Sequence, residues 1–328
     1  MPQKHIALVS TGGTIAARAA QPSTLGDYTV DQDLDQLVAQ APGLEQLATL
    51  SLHPLYHIDS RDMSFALQHQ LVLHIEQLLA QPDIDGVVIT HGTDTLEETA
   101  LLLHWCIKST KPVVITGAMR PASALSADGP LNIYQAVQVA SHIDAQDLGC
   151  MVVLNDQIHS ARFVQKSHTT SPHAFSSPLT GPLGLVSHHQ VYINTAPRRP
   201  YGRTSSLNLP EEPTLPPVAL LYDHVDANHN FYKACVLMGF KAVVIASLGN
   251  GSLSPAARQG AEYCAENGVW CVRASRILNG AVPPSAQDQQ FHTLPAHQFS
   301  PVAARTITAL ALANGANHTE LAAYLRHY

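Results

Sequence analysis

The sequence predicts a two-domain α/β protein. The larger N-terminal domain is built on a mainly parallel sheet flanked by helices, and the C-terminal α/β domain is smaller. Three observations predict it. Short apolar runs that stop at Gly and small hydroxyl residues recur along the chain, helical patterns separate them, and a proline-rich stretch then divides the sequence. Strands that alternate with helices form βαβ units, whose crossovers generate a parallel sheet.

The first apolar run, Ile6–Val9, leads into Ser10-Thr11-Gly12-Gly13-Thr14. The second, Gly86–Thr90, leads into His91-Gly92-Thr93-Asp94-Thr95. Pro112–Thr116, Cys150–Leu154 and Val191–Asn194 are the further strands of this half. Leu67–Leu79 and Leu96–Ile107 carry helical spacing. The latter opens with Glu97 and Glu98, where carboxylates complement the helix dipole. Thr195–Pro217 holds six prolines and little apolar content. The domains are therefore expected at residues 1–195 and 218–328, with 196–217 as a linker. In the second half, strands are expected at Val218–Tyr222, Ala242–Ser247 and Val269–Arg273, and helices at Tyr232–Phe240 and Pro255–Asn267. Val302–Ala313 and Thr319–Tyr328 read as two closing helices.

Composition narrows the function. The chain has 328 residues, 45% of them hydrophobic, which is ample for a large core. The formal charge is -7 and no Lys/Arg-rich run occurs, so nucleic acid is not an expected partner. No apolar run approaches the roughly 18 residues of a membrane span. Met1-Pro2-Gln3-Lys4-His5 leads straight into the first strand without a signal-peptide apolar region, which favours the cytoplasm. Five cysteines without a CxxC fit a reduced compartment. A charged fraction of only 13% implies apolar surface covered by other subunits.

Ligands of open α/β sheets bind outside the carboxyl ends of the strands, so the two threonine turns point to one crevice. Hydroxyls placed there suggest a nucleophile. Taken alone, Gly12-Gly13-Thr14 reads equally as an ordinary tight turn, and neither phosphate-loop pattern is complete. Thr93 needs a group to take its proton. A lysine elsewhere in the chain would serve; Asp94 would keep it charged, whereas desolvation would oppose that. The 19 histidines show no zinc spacing, Tyr222–His229 reads as a solvated loop, and no serine sits in GxSxG. No metal and no cofactor is expected.

These segments resemble a known family. Thr11–Ala16 and Thr90–Glu98 are similar to the two signature segments of bacterial-type L-asparaginases, the asparaginase/glutaminase family. The resemblance continues in Gly117–Pro121, Ser126–Pro130, Asn155-Asp156 and Gly249–Ser252. It implies amide hydrolysis with Thr14 as nucleophile and Tyr28, on a mobile lid, as its hydrogen-bond partner. Thr93, Asp94 and Lys166 would form a second cluster that activates water or the nucleophile. Ser60 would bind the substrate α-carboxylate and Asp94 its ammonium, with Gly13, Gly92 and Ala118 lining the pocket. The resemblance further implies a homotetramer, a dimer of dimers, in which the Gly249–Ser252 loop completes a neighbour's site. Small-molecule L-asparagine, and L-glutamine where Ser252 is small, are the implied substrates.

Two residues depart from the family pattern. Arg61 stands where Gln or Glu is usual, so it faces the substrate ammonium unless it swings away or pairs with Asp62. Gln287 stands near the position of a neighbour's glutamate, with Asp288 beside it. Together they predict weaker substrate binding by about 1–3 kcal/mol. The alternatives are a glutaminase-asparaginase, an amidotransferase's amidase domain, and a silent amino-acid-binding module on the same fold. A basic tRNA-binding extension, which the amidotransferase reading would favour, is absent from the sequence. Retention of Thr14, Tyr28, Thr93, Asp94 and Lys166 together argues against the silent module.

Overall fold

The computed structural model describes residues 3–19, 21, 28–30 and 33–328. It divides into two compact units, one ending at Ser206 and one running from Leu207 to Tyr328.

The first unit begins with β1 (Lys4–Gly12), a 3-10 turn at Thr14–Ala16, and an antiparallel pair, β2 (Ala17–Ala19) and β3 (Tyr28–Val30). Helices α1 (Leu34–Ala39) and α2 (Leu44–Leu47) lead to β4 (Ala48–Ile58). Then come α3 (Phe65–Leu79), β5 (Gly86–Thr90), α4 (Leu96–Cys106), β6 (Val113–Thr116), α5 (Gly129–Ala140) and β7 (Cys150–Leu154). Shorter strands end the unit: β8 (Gln157–Ser160), β9 (Gln165–Lys166), β10 (Phe175–Ser176), β11 (Gly184–Ser187) and β12 (Gln190–Ile193). The main sheet has the order β12-β11-β8-β7-β6-β5-β1-β4. Pairings from β4 through β7 are parallel, and those from β7 to β12 antiparallel. β5, β6 and β7 are buried throughout, which is why they read as unbroken apolar runs. α5 packs across β5, β6 and β7. Its side of the core holds Leu8, Ile15, Val88, Val114, Ile133 and Val137.

β4 and α5 are among the elements that the sequence did not mark. β4 contains Pro54 and mixes polar with apolar residues. It is the edge strand of the sheet, where a missing N–H costs no ladder bond on the open side. α5 begins at Gly129-Pro130, a pair that resembles a turn. Proline suits the first helical turn, because an N–H there has no intrahelical partner.

The second unit carries a four-stranded parallel sheet: β13 (Val218–Tyr222), β14 (Ala242–Ser247), β15 (Trp270–Ser275) and β16 (Thr293–Pro295), in that order. The intervening helices are α6 (Asn230–Leu237), α7 (Pro255–Glu266) and α8 (Ala286–Gln290). α9 (Pro301–Ala313) and α10 (His318–His327) close the chain. Capping side chains start several of these helices: Ser254 accepts from the Ala257 N–H, Ser300 from Ala303 and Asn317 from Glu320.

A charge lies in the interior of this unit. Arg273, on β15, is 1% exposed. Its Nε donates to Asp288 Oδ1 at 3.0 Å and its Nη2 to Asp288 Oδ2 at 2.9 Å, while Nη1 reaches the Gly251 carbonyl at 3.0 Å. Asp288 also accepts from Thr293 Oγ1 and the Ser285 N–H. Removing a partner from such a pair strands a buried charge. Asp288→Ala is therefore expected to destabilise the protein by about 3–5 kcal/mol, read as a lower urea midpoint.

Candidate active site

The carboxyl ends of β4, β1, β5 and β6 meet at one place. Register aligns Ser10 of β1 with Thr90 of β5, and Thr90 with Thr116 of β6. The turns that follow β1 and β5 then touch backbone to backbone. A Cβ on Gly13 would lie 2.2 Å from Gly92 Cα, and Gly13 has φ 81°. A Cβ on Gly92 would lie 2.5 Å from Ser60 Oγ. Only glycine fits at these two positions, for steric reasons and, at Gly13, for conformational ones. The Gly13 N–H donates to the Ile58 carbonyl at 2.8 Å, tying the β1 turn to the end of β4. Thr14 and Thr93 are each one residue beyond the contact, and both are buried.

Ser60 belongs to the same knot. Its Oγ accepts from the Asp94 N–H at 3.2 Å and its carbonyl accepts from Thr95 Oγ1 at 2.8 Å. Ala118, just past β6, is buried. Asp128 receives the N–H groups of Met119 and Arg120, and Asn132 donates to the Gly117 carbonyl while accepting from the Asn155 N–H. The segments Gly117–Pro121, Ser126–Pro130 and Asn155-Asp156 are thus interlocked around the N-terminus of α5.

A lysine from elsewhere in the chain reaches the second threonine. Lys166 Nζ donates to Thr93 Oγ1 at 2.9 Å and to Asp94 Oδ1 at 2.5 Å. The Lys166 side chain is 19% exposed and that of Asp94 58%, so the carboxylate is open to a ligand while the ammonium is largely enclosed. Such an arrangement can pass a proton to or from a hydroxyl and hold a cationic group beside it.

Residues beyond the expected set support the site. His91 is fully buried. Its Nδ1 donates to the Gly92 carbonyl at 2.7 Å, which makes its Nε2 an acceptor for the Thr99 hydroxyl at 3.1 Å. Thr99 in turn accepts from Gln68 Nε2 at 3.0 Å. Burial lowers the His91 pKa to about 4, so the ring is neutral, as this chain of bonds requires. Glu97 bonds the main chain of Lys166: its Oε2 accepts from the Lys166 N–H at 2.8 Å. Gln68 and Thr99 lie among other polar residues of α3 and α4, so little in the sequence singled out the first network. Nothing local in the sequence marked the second.

The remaining expected residues fall as follows. Tyr28 is in β3 by its backbone, and its side chain lies outside the described residues. Arg61 is exposed, and its Nη2 pairs with Asp59 at 2.8 Å, not with Asp62. Ser252 lies in the second unit, exposed, in a turn where its N–H and carbonyl both bond Leu248. Gln287 donates to the Gly251 carbonyl at 3.3 Å, and the neighbouring Asp288 is engaged by Arg273.

Known proteins resemble this chain over nearly its whole length. Residues 5–199 match the family described as Asparaginase, N-terminal, and residues 217–325 the Glutaminase/Asparaginase C-terminal domain. L-asparaginase 2 of Bacillus subtilis (strain 168) is 36% identical over 99% of this chain and 86% of its own length. A glutaminase-asparaginase of Pseudomonas fluorescens biotype A is 35% identical over 97% and 88%. The crystal structure of a probable cytoplasmic L-asparaginase from Campylobacter jejuni superposes with TM-score 0.96 at 36% identity, covering 99% of this chain and all of that one.

The His91 environment sets a pH dependence. Between about pH 6.5 and 4 the unfolded chain binds a proton that the folded ring refuses. The His91 contribution is therefore complete above about pH 6.5 and is lost as pH falls toward 4. Lowering the pH to about 5 should cost the wild type about 2 kcal/mol more than His91→Gln, measured by urea unfolding at both pH values.

Proposed function

This chain belongs to the asparaginase family, and on that premise we propose that it hydrolyses the side-chain amide of L-asparagine to L-aspartate and ammonia. The observation that carries the reading is Lys166 Nζ, held between Thr93 Oγ1 and Asp94 Oδ1 at the carboxyl end of the sheet. A pure binding module has no use for a lysine drawn onto a buried hydroxyl. We assign Thr14 as nucleophile, assisted by Tyr28, with Thr93 and Lys166 as the proton relay. Ser60 takes the substrate α-carboxylate, Asp94 its ammonium, and Gly13, Gly92 and Ala118 line the pocket. Attack on the amide carbon would give an oxyanion, collapse would expel ammonia, and water would release aspartate from Thr14. Thr14 polarising the amide for direct attack by water fits the same residues.

A second reading, substantial L-glutamine activity, is favoured by the glutaminase-asparaginase relative and by the small Ser252. Homotetramer formation with Ser252 completing a neighbour's site is part of the proposal. It is supported by the exposed apolar residues Val225, Phe231, Leu237 and Met238 of the second unit. A cytoplasmic location is supported by five free, buried cysteines.

Ammonia release from L-asparagine and L-glutamine tests the reading. Thr14→Ala, Thr93→Ala and Lys166→Met should each lower kcat by about 10²–10⁴-fold; wild-type rates in any of them would remove that residue from the chemistry. Because Arg61 is paired with Asp59 and exposed, its charge bears weakly on the ligand. Arg61→Ala is expected to change KM for asparagine by less than about threefold.

A further inference from the structure

We propose that Glu97 is a positioning residue for this site: its carboxylate fastens the main chain of Lys166 to α4, and the charge on that carboxylate governs how firmly Lys166 is held at Thr93 and Asp94. The inference rests on the reading of Lys166 and Thr93 as reacting groups, and it goes beyond the helix-dipole role that the sequence assigns to Glu97.

Lys166 stands on a weak support. β9 has two residues and, among the described residues, pairs with β10 alone, Phe175 opposite Lys166 and Ser176 opposite Gln165. The next bonds, from Ser167 N–H and Oγ to the Ala174 carbonyl, stay inside this hairpin. Such a hairpin has little to fix where its lysine points. The Lys166 N–H instead reaches 69 residues back, to Glu97 Oε2 at 2.8 Å. Glu97 lies in the first turn of α4, immediately after the Thr93-Asp94 turn. One helix start therefore carries both the hydroxyl that Lys166 must reach and the carboxylate that holds its backbone. A lysine anchored by its main chain as well as its ammonium loses fewer side-chain geometries when it acts.

The charges around Glu97 oppose one another. Burial works against its ionisation most, and Glu98 on the same helix adds to that. The Lys166 N–H and the Lys166 ammonium, both from β9, favour the carboxylate, and that ammonium is shared with Asp94. Burial prevails, and the Glu97 pKa rises to about 7. The ionised form accepts a charge-assisted bond, roughly twice as strong as a neutral one. As pH rises through about 7, the anchor tightens.

Glu97→Gln and Glu97→Leu separate the terms. The glutamine carbonyl can still accept the Lys166 N–H but does not titrate; leucine does neither. Two readouts are needed: kcat and KM for L-asparagine across about pH 5.5–8.5, and hydrogen–deuterium exchange of the peptide spanning Lys166. We expect wild-type kcat to rise as pH passes about 7 and Glu97→Gln to lack that rise. Glu97→Leu should lose on the order of tenfold to a hundredfold in kcat, with KM within about twofold. Its Lys166 peptide should exchange faster than that of wild type or Glu97→Gln. Wild-type exchange and kcat in Glu97→Leu, or an unchanged pH rise in Glu97→Gln, would overturn the proposal. If the wild type releases no ammonia yet exchange still separates leucine from glutamine, the amide-hydrolase reading fails while the anchoring role stands. If neither readout separates the variants, both fail.

Discussion

Gly13 and Gly92 press together with no side chain between them, and the geometry of the site follows from that contact. Parallel pairing of β1 with β5 brings the two turns alongside each other. The absence of two Cβ atoms lets them close, since a Cβ on either would meet backbone or Ser60 well inside van der Waals distance. Thr14 and Thr93 take their places as the next residues along each chain. Ser60 enters from the end of β4 and is locked by the Asp94 N–H and the Thr95 hydroxyl. Three strand ends are fixed by one another, so the hydroxyls they carry are held on the rigid frame of a buried sheet.

Around this knot the enclosed His91 is kept neutral, while the Asp94 carboxylate stands where a ligand can reach it. Gln68, Thr99 and His91 pass a single line of hydrogen bonds to the Gly92 carbonyl, and burial keeps the imidazole uncharged. Asn132 and Asp128 bond the main chain of the segments around Ala118. Asp94, by contrast, keeps more than half its side chain exposed while holding Lys166. The proposed role, binding a zwitterion and moving a proton, calls for that division. Enclosed charges without partners would cost several kcal/mol, and exposed ones without fixed geometry would add little. The Arg61–Asp59 pair belongs to the second kind, so an arginine that looks obstructive in sequence is turned aside onto a carboxylate two residues away.

Much of the fold was legible in the sequence because many of its strands are unbroken apolar runs. Gly86–Thr90, Cys150–Leu154, Val218–Tyr222 and Ala242–Ser247 are strands with the bounds their apolar runs indicate. β4 was hidden, since an edge strand tolerates the proline and polar residues that an interior strand excludes. Apart from the strand expected at Val191–Asn194, the short strands after β7 were hidden too. β8 and β9 have four and two residues, too few for any periodicity to declare itself.

Sequence alone determined the alternation of strand and helix, the glycines at two strand ends, and the hydroxyl and carboxylate side chains that follow them. Those are local properties, written in apolar runs and in the few residues that permit a tight turn. Only the tertiary structure decided that Lys166 meets Thr93, that Glu97 holds the lysine's backbone, and that Arg61 chooses Asp59. The Lys166 pairings are settled by packed elements that bring together groups about seventy residues apart, and the Arg61 pairing by the fold of the turn that carries both residues. Sheet order and helix packing bring such groups within 3 Å, and no pattern in neighbouring residues encodes that distance.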